Sequence, residues 1–248
     1  MEKLSIIGYG RFGKVFKRNY EKFFQYKKVY YIYDKRFKKT LNLTKLFSSD
    51  IILISVNDDS ILDVLKIIKN FDKEVILVSG SYELKQAKKI LKRASNVSIF
   101  HPIQSFQKND RPEVFKNIYA TCESEKRSKF IDDFCKVNRI KLLRLKNIKR
   151  KKYHLSSMLA LNYTLTLLSI SENLFQISTS KNFGVKPFLP ALQTLIRKLA
   201  SKKIKNVISG PSIRKDVKLI KEISKSIDDS EVKKLFLLLD KITREKIK

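Results

Sequence analysis

Lys3-Leu4-Ser5-Ile6-Ile7-Gly8-Tyr9-Gly10-Arg11-Phe12-Gly13-Lys14-Val15-Phe16 is the stretch whose reading decides the fold. An apolar run that reads as a strand leads straight into G-x-G-x-x-G, and a helical pattern follows. Three of the chain's six glycines fall here. Each has a mechanical reason: Gly8 permits the tight turn, Gly10 lets backbone approach a pyrophosphate, and Gly13 lets the helix pack close to the strand. A pyrophosphate would rest on the free N–H groups at the helix start, where the dipole favours negative charge. Gly8, Tyr9, Gly10, Arg11, Phe12 and Gly13 are therefore the candidate cofactor loop. A glycine-rich turn with no ligand is the competing reading.

Working outward, β-branched apolar runs at 4–7, 29–33, 51–56, 75–79, 97–100, 118–122 and 140–145 read as strands. Helical patterns at 11–24, 61–69, 84–93 and 126–137 lie between them. This alternation predicts an α/β domain with a mainly parallel sheet covered on both faces. After about residue 146 only helices are expected, at 153–177, 188–200, 213–226 and 231–246. The basic stretch 146–152 is the natural joint. The expected organisation is a Rossmann dinucleotide-binding domain over 1–147 and an all-α domain over 148–248.

Composition narrows the function classes. Cys122 and Cys135 lack metal-ligand spacing and do not suggest a disulfide framework, so a reducing, cytoplasmic location is expected. The uncharged stretch 155–171 carries too many hydroxyls and amides for lipid, and reads as a buried core helix rather than a membrane span. No signal segment is read before Gly8, because a strand already occupies that place. The formal net charge is +30, from 54 Lys and Arg against 24 Asp and Glu. That charge could mean nucleic acid, but no recognised motif accompanies it. The lysines recur along the polar sides of amphipathic patterns, clustering densely only at 35–39 and 149–152. They read as a solvated surface whose field draws anionic cofactors and substrates, with no specific nucleic acid and no membrane as partner.

The other candidates lie at strand ends and helix starts. Asp34 ends the second strand, where a carboxylate accepts from a ribose 2′-hydroxyl and favours NAD. Lys35 and Arg36 beside it suit the 2′-phosphate of NADP; a plain turn residue is the third reading of Asp34. Ser55, Val56, Asn57 and Asp58 stand at the carboxyl edge of the sheet, with Asn57 or Asp58 as an N-cap. Ser79 and Gly80 repeat that theme one strand on. Only two histidines occur, His101 after a strand and His154 at the start of the long apolar helix. Each could line a site or anchor local structure. His154, Met158 and Asn162 follow at one-turn spacing on neighbouring parts of one helix face. In Ser209-Gly210-Pro211-Ser212-Ile213-Arg214-Lys215-Asp216, Ser212 can cap a helix whose first turn holds Arg214 and Asp216. Arg214 suits bidentate recognition of a carboxylate, although a plain ion pair with Asp216 explains both equally well.

Together, these pieces resemble the Rossmann-like oxidoreductases whose C-terminal helical domain is a domain of unknown function. That family is allied to the phosphogluconate dehydrogenases and pyrroline-carboxylate reductases. The resemblance spans nearly the whole chain. It rests on Gly8-x-Gly10-x-x-Gly13, Ser55-Val56-Asn57-Asp58-Asp59-Ser60-Ile61, Ser79-Gly80-Ser81, His101-Pro102-Ile103-Gln104-Ser105-Phe106, Tyr153-His154 with Asn162, and Gly210-Pro211-x-x-Arg214-x-Asp216. One branch is similar to an alternative ketopantoate reductase of pantothenate synthesis, and a lysine-rich chain from a bacterium of low G+C content fits it. The chain departs where the family usually has proline (Asn57) and glycine (Lys215). Ordinary ketopantoate reductases carry a catalytic lysine one turn before the asparagine that Asn162 would match; here that place is Met158.

The resemblance implies an NADPH-dependent reductase, with NAD as the other cofactor, acting on the carbonyl of a small anionic keto acid. Ketopantoate is the expected substrate. His154 would donate the proton and Asn162 would orient the carbonyl. His101 and Gln104 would line the pocket, Arg214 would hold the substrate carboxylate and Asp216 would fix Arg214. A homodimer through the helical domain is expected. An imine reductase of the pyrroline-carboxylate kind and a non-catalytic nucleotide-binding protein are the alternatives.

Overall fold

A computed structural model describes residues 3–24, 27–37 and 41–246. Lys38 and Lys39 of the first basic cluster lie outside the described residues. The chain divides into two compact units, Met1–Tyr163 and Thr164–Lys248.

The first unit alternates strand and helix. In order come β1 (Leu4–Ile7), α1 (Arg11–Phe23), β2 (Tyr31–Tyr33), α2 (Leu43–Phe47), β3 (Ile51–Ile54), α3 (Asp58–Ile67), β4 (Glu74–Val78), α4 (Leu84–Ile90), β5 (Asn96–Pro102), β6 (Tyr119–Ser124), α5 (Lys129–Asn138), β7 (Lys141–Arg144) and α6 (Arg150–Ser157). The strands form one sheet in the order β2-β1-β3-β4-β5-β6-β7. Pairing is parallel from β2 to β5, antiparallel between β5 and β6, and parallel again between β6 and β7. The mainly parallel sheet was expected, and it explains why the central strands read as unbroken apolar runs: both faces are covered.

Successive residues of these strands feed two cores. Ile6, Leu53, Ile76 and Phe100 pack on one side with Val15, Phe16 and Tyr20 of α1 and Phe130 and Phe134 of α5. Ile7, Ile52, Ile54, Val75, Leu77 and Ile99 pack on the other with Ile61 and Leu65 of α3 and Ala87 of α4. Phe12, Phe16 and Tyr20 recur one helical turn apart, the period that puts them on one face of α1. Asn19 and Asn138 exchange amide hydrogen bonds of 2.7 and 3.0 Å, which ties α1 to α5 inside the first core.

The order of strands reverses at β1, which has β2 on one side and β3 on the other. Loops leaving the carboxyl ends of β1 and β3 therefore diverge, and such a switch point is where open α/β sheets form their ligand crevice. The sheet ends at Arg144, close to the joint expected at 147/148, but the first compact unit runs on through α6. The reason is contact: Arg150 pairs with Glu123 of β6, and Tyr153 bonds to His101 and Thr121 on β5 and β6.

The second unit holds α7 (Tyr163–Thr179, from Thr164 onward), α8 (Leu189–Leu199), α9 (Pro211–Arg214), α10 (Val217–Lys225) and α11 (Ser230–Lys246). Two expectations are corrected here. The helix expected over 213–226 is broken, because Lys215 takes a left-handed conformation (φ 59°) and ends α9. The stretch 155–171 is helical but is not a buried core: Leu155, Leu159, Leu165 and Leu167 are exposed, and α7 buries none of its residues. No helix among the described residues is long and apolar enough to cross a membrane.

Candidate functional site

The glycine loop separates into two glycines that the fold requires and one that it does not. Gly8 has φ +96°, and a Cβ there would lie 2.4 Å from the Ser55 carbonyl oxygen. A Cβ on Gly13 would lie 2.3 Å from the Gly8 carbonyl oxygen. Both glycines therefore serve close packing between loop, helix and β3. Ser55 adds to this, its hydroxyl donating to the Gly8 carbonyl at 2.8 Å. At Gly10 a Cβ would meet nothing within 4 Å. Gly10 is the N-cap of α1, no side chain caps that helix, and no acidic residue lies in its first turn. The opening faces a helix start whose first N–H groups have no intrahelical acceptor and whose first turn carries no carboxylate, which suits a pyrophosphate.

Asp34 ends β2 and is buried. Its carboxylate accepts from the Tyr9 backbone N–H at 2.7 Å, the Arg36 backbone N–H at 3.0 Å and Arg36 Nε at 2.6 Å, and Arg36 Nη2 closes a bidentate pair. The Arg36 guanidinium, with further help from the backbone donors, holds the carboxyl well below the usual carboxylate range. Both Asp34 oxygens are thus taken by the protein. The Arg36 side chain stays about half exposed at the strand end. Tyr9 and Phe37 meet edge to face with ring centres 5.9 Å apart, next to this pair. Lys35 is exposed in the same short turn.

At the ends of β3 and β4 the polar residues are linked to one another. Asn57 is the N-cap of α3 by position, but its side chain makes no capping bond. Asp58, which follows Val56 and Asn57, reaches across instead: its carboxylate accepts from the Ser79 hydroxyl at 3.1 Å and also from Ser81. Ser79 accepts in turn from the backbone N–H of Tyr82 at 3.0 Å. This network shapes the turn that carries Gly80.

Gly80 brings the two histidines together. A Cβ on Gly80 would lie 2.3 Å from His154 Nδ1 and 3.0 Å from His101 Nε2. The imidazole rings meet edge to face with centres 5.9 Å apart. On its other side His101 Nδ1 lies 2.7 Å from the Tyr153 hydroxyl, which also accepts from Thr121 at 3.1 Å. Burial, then the neighbouring His154 and Arg150, push the His101 ring down to about 4, against a smaller opposing effect of Asp58. His101 is therefore neutral at pH 7. Arg150 is 1% exposed; its Nε donates to Glu123 Oε2 at 2.9 Å, and its guanidinium lies 5.9 Å from the centre of the Tyr153 ring. Burial pushes the Tyr153 phenol up. His154 Nδ1 is buried without a hydrogen-bond partner.

Sequence reasoning gave no role to Thr121, Arg150, Glu123 or the Tyr153 hydroxyl. The only signals were the basic run at the joint and the adjacency of Tyr153 to His154. Nor did sequence show that residues Met158–Asn162 form a π-helical turn between α6 and α7. In a regular α-helix Asn162 would sit about 80° around the axis from His154. A π turn holds more residues per turn and brings Asn162 back toward the His154 face, and such turns recur at functional sites. Asn162 is exposed.

Gln104 is partly buried, and its Oε1 accepts from the Ser105 backbone N–H at 2.9 Å. Arg214 and Asp216 belong to the second unit. Arg214 is exposed in the last turn of α9. Asp216 does not fix it: Asp216 caps α10, accepting from the Leu219 backbone N–H at 3.2 Å. The left-handed Lys215 separates the two residues into different helices. Ser212, expected as a cap, lies inside α9, where Gly210 is the N-cap.

A family profile described as a domain of unknown function (DUF2520) matches residues 118–243, just over half of the chain. A sequence comparison with curated proteins finds no match. Among solved structures, a candidate NADP oxidoreductase from Bacteroides fragilis, BF3122, is similar with a TM-score of 0.81 at 18% identity, covering 99% of this chain and 98% of that one. A pyrroline carboxylate reductase from Plasmodium falciparum, solved with NADP bound, gives 0.63 at 15% identity over 99% and 97% of the two chains. A reductive aminase from Aspergillus terreus, in complex with NADPH and ethyl levulinate, gives 0.65 at 12% identity over 99% and 95%. At these identities the likeness establishes the fold.

Proposed function

For this chain, which belongs to the family described as a domain of unknown function (DUF2520), we propose an NADPH-dependent reductase of a small anionic keto acid. Gly10 carries the reading. The fold explains Gly8 and Gly13, whereas the space at Gly10 is kept open over the α1 N-terminus and a side chain would close it. Backbone donors there suit a pyrophosphate. Asp34 is consumed by Arg36 and Tyr9, so Arg36 is the group left to meet a 2′-phosphate, which favours NADPH over NADH. The crystallised neighbours with NADP or NADPH support the same choice.

A bound nicotinamide supplies the hydride. The chain's own residues do the rest. His101 and His154 stand together beside Gly80 at the carboxyl edge, His154 as proton donor to the carbonyl oxygen. Asn162 orients the carbonyl and Gln104 lines the pocket. Ketopantoate, giving pantoate, is the substrate that the family resemblance favours. Reduction of a cyclic imine is the second reading, favoured by likeness to the pyrroline-carboxylate reductase and the reductive aminase. A spectrophotometric assay of NADPH oxidation with ketopantoate, other small keto acids and a pyrroline carboxylate separates the two. Faster turnover of the imine would overturn the keto-acid assignment.

A second copy of the chain is the proposed cover for the helical unit. Neither α7 nor α8 buries a single residue, and Leu165, Ile177 and Ile196 are 61–70% exposed. Light scattering on the purified protein should give the mass of a dimer; a single-chain mass would refute this.

A further inference from the structure

His101 and His154 both take part in the proposed reaction, whereas Tyr153 has no part in it. We infer that Tyr153 fixes His101 in the tautomer with its proton on Nε2, so that this neutral imidazole donates a hydrogen bond to the substrate's carbonyl oxygen. The inference deepens the reductase reading and rests on it.

The tautomer follows from counting protons. A phenol has one proton and accepts through the same oxygen. Thr121 Oγ1 donates to the Tyr153 oxygen at 3.1 Å. The phenolic proton is left for the remaining neighbour, His101 Nδ1, at 2.7 Å. Nδ1 must therefore be bare, and a neutral ring carries its proton on Nε2. The surroundings keep the ring neutral. Arg150 on α6 is a buried cation paired with Glu123 on β6; His154 faces the ring from α6; Asp58 on α3, the opposing acid, is engaged by the hydroxyls of Ser79 and Ser81.

Nε2 lies against Gly80, 3.0 Å from where a Cβ would stand, with no side chain of that residue between it and the end of β4. There a fixed donor matches the charge that develops on a carbonyl oxygen, which is where preorganised donors act most strongly. As hydride reaches the carbonyl carbon, the C=O π pair moves onto oxygen. His101 holds that oxygen, and His154 gives it a proton that solvent replaces. The same surroundings, a donor ring near a buried guanidinium, disfavour a cationic iminium. The substrate class that fits is a carbonyl compound, neutral or anionic, rather than a protonated imine. His101 is then a catalytic residue and Tyr153 a positioning residue.

Histidine-labelled protein tests this directly, because the full chain contains only two histidines and His154→Gln assigns both ring spectra. Nitrogen-15 NMR of the wild type should show His101 bare at Nδ1 and protonated at Nε2, and neutral until the pH approaches 4. In Tyr153→Phe the ring should lose its single tautomer, and kcat on the keto acid should fall about tenfold or more, with NADPH affinity unchanged. A proton on Nδ1 in the wild type, ordinary titration near 6.5, or an unchanged tautomer in Tyr153→Phe overturns the inference. None of these spectra depends on turnover. Failure of NADPH to bind would sink the reductase reading while the tautomer could still be read.

Discussion

Replacing Gly10 by alanine separates what the glycine loop does for the fold from what it does for a ligand. The added Cβ meets nothing within 4 Å, and the backbone at Gly10 (φ −77°, ψ −153°) is extended and open to any L-residue. Alanine lowers the entropy of the unfolded chain, worth about 0.4–1 kcal/mol, but is a distinctly poorer N-cap than glycine, by a comparable amount. The two effects oppose, so stability should change by no more than about 0.5 kcal/mol. Binding should change far more. The methyl group would stand where a pyrophosphate approaches the α1 N–H groups, and each charge-assisted bond lost costs about 1.5–3 kcal/mol. That is roughly a tenfold to hundredfold rise in Kd for NADPH. Gly13→Ala is the contrast: its Cβ would sit 2.3 Å from the Gly8 carbonyl oxygen, and backbone cannot swing aside. Overpacking of this kind costs about 1–3 kcal/mol of stability. Thermal melts and fluorescence titrations on both variants decide the matter. A Gly10→Ala protein that binds NADPH like the wild type, or that loses as much stability as Gly13→Ala, would refute the reasoning.

Further outcomes concern pH, backbone strain and charge. The folded His101 ring titrates at about 4 against 6.5 when unfolded, so between those values the unfolded chain holds more protons and stability falls as pH falls. Urea unfolding should show a loss of about 2 kcal/mol between pH 7 and pH 5 from this ring, and His101→Gln should remove that part of the slope. Asp34, depressed below its ordinary 3.8, adds a loss only at lower pH, as the carboxylate is protonated. Lys215→Gly should raise Tm, because a left-handed non-glycine residue costs about 1–2 kcal/mol that glycine does not; an unchanged or lower Tm would count against strain at α9. Nucleic-acid binding should be weak, independent of sequence and steeply reduced by salt, and tight binding of one sequence at physiological salt would contradict a merely solvated lysine surface.

The sequence made the first unit legible because its signals are local. Gly8 and Gly13 mark positions that no larger residue fits, and unbroken apolar strands announce a sheet buried on both faces. His101 and His154 were singled out by scarcity, and the fold brings both to Gly80. What stayed hidden depends on residues distant in sequence. Tyr153 reads as an ordinary aromatic residue until β5 and β6 place His101 and Thr121 against its hydroxyl. Arg150 reads as one more lysine-like surface charge until Glu123 draws it into the interior. The π turn at Met158–Asn162 has no composition of its own. Ser212, Arg214 and Asp216 looked like one capped helix because Lys215 gives no sign, as glycine would, that the chain turns left-handed there. The exposed 155–171 helix shows the converse error: apolar composition predicts burial but not whether the same chain provides the cover.

Fluorescence titration of the wild-type protein with NADPH and with NADH tests the central claim most directly. With Gly10 open at the α1 N-terminus and Arg36 presented by a fully engaged Asp34, both should bind, NADPH about tenfold or more tighter through its 2′-phosphate. Tighter binding of NADH would contradict the role given to Arg36, and no binding of either would contradict the dinucleotide reading itself.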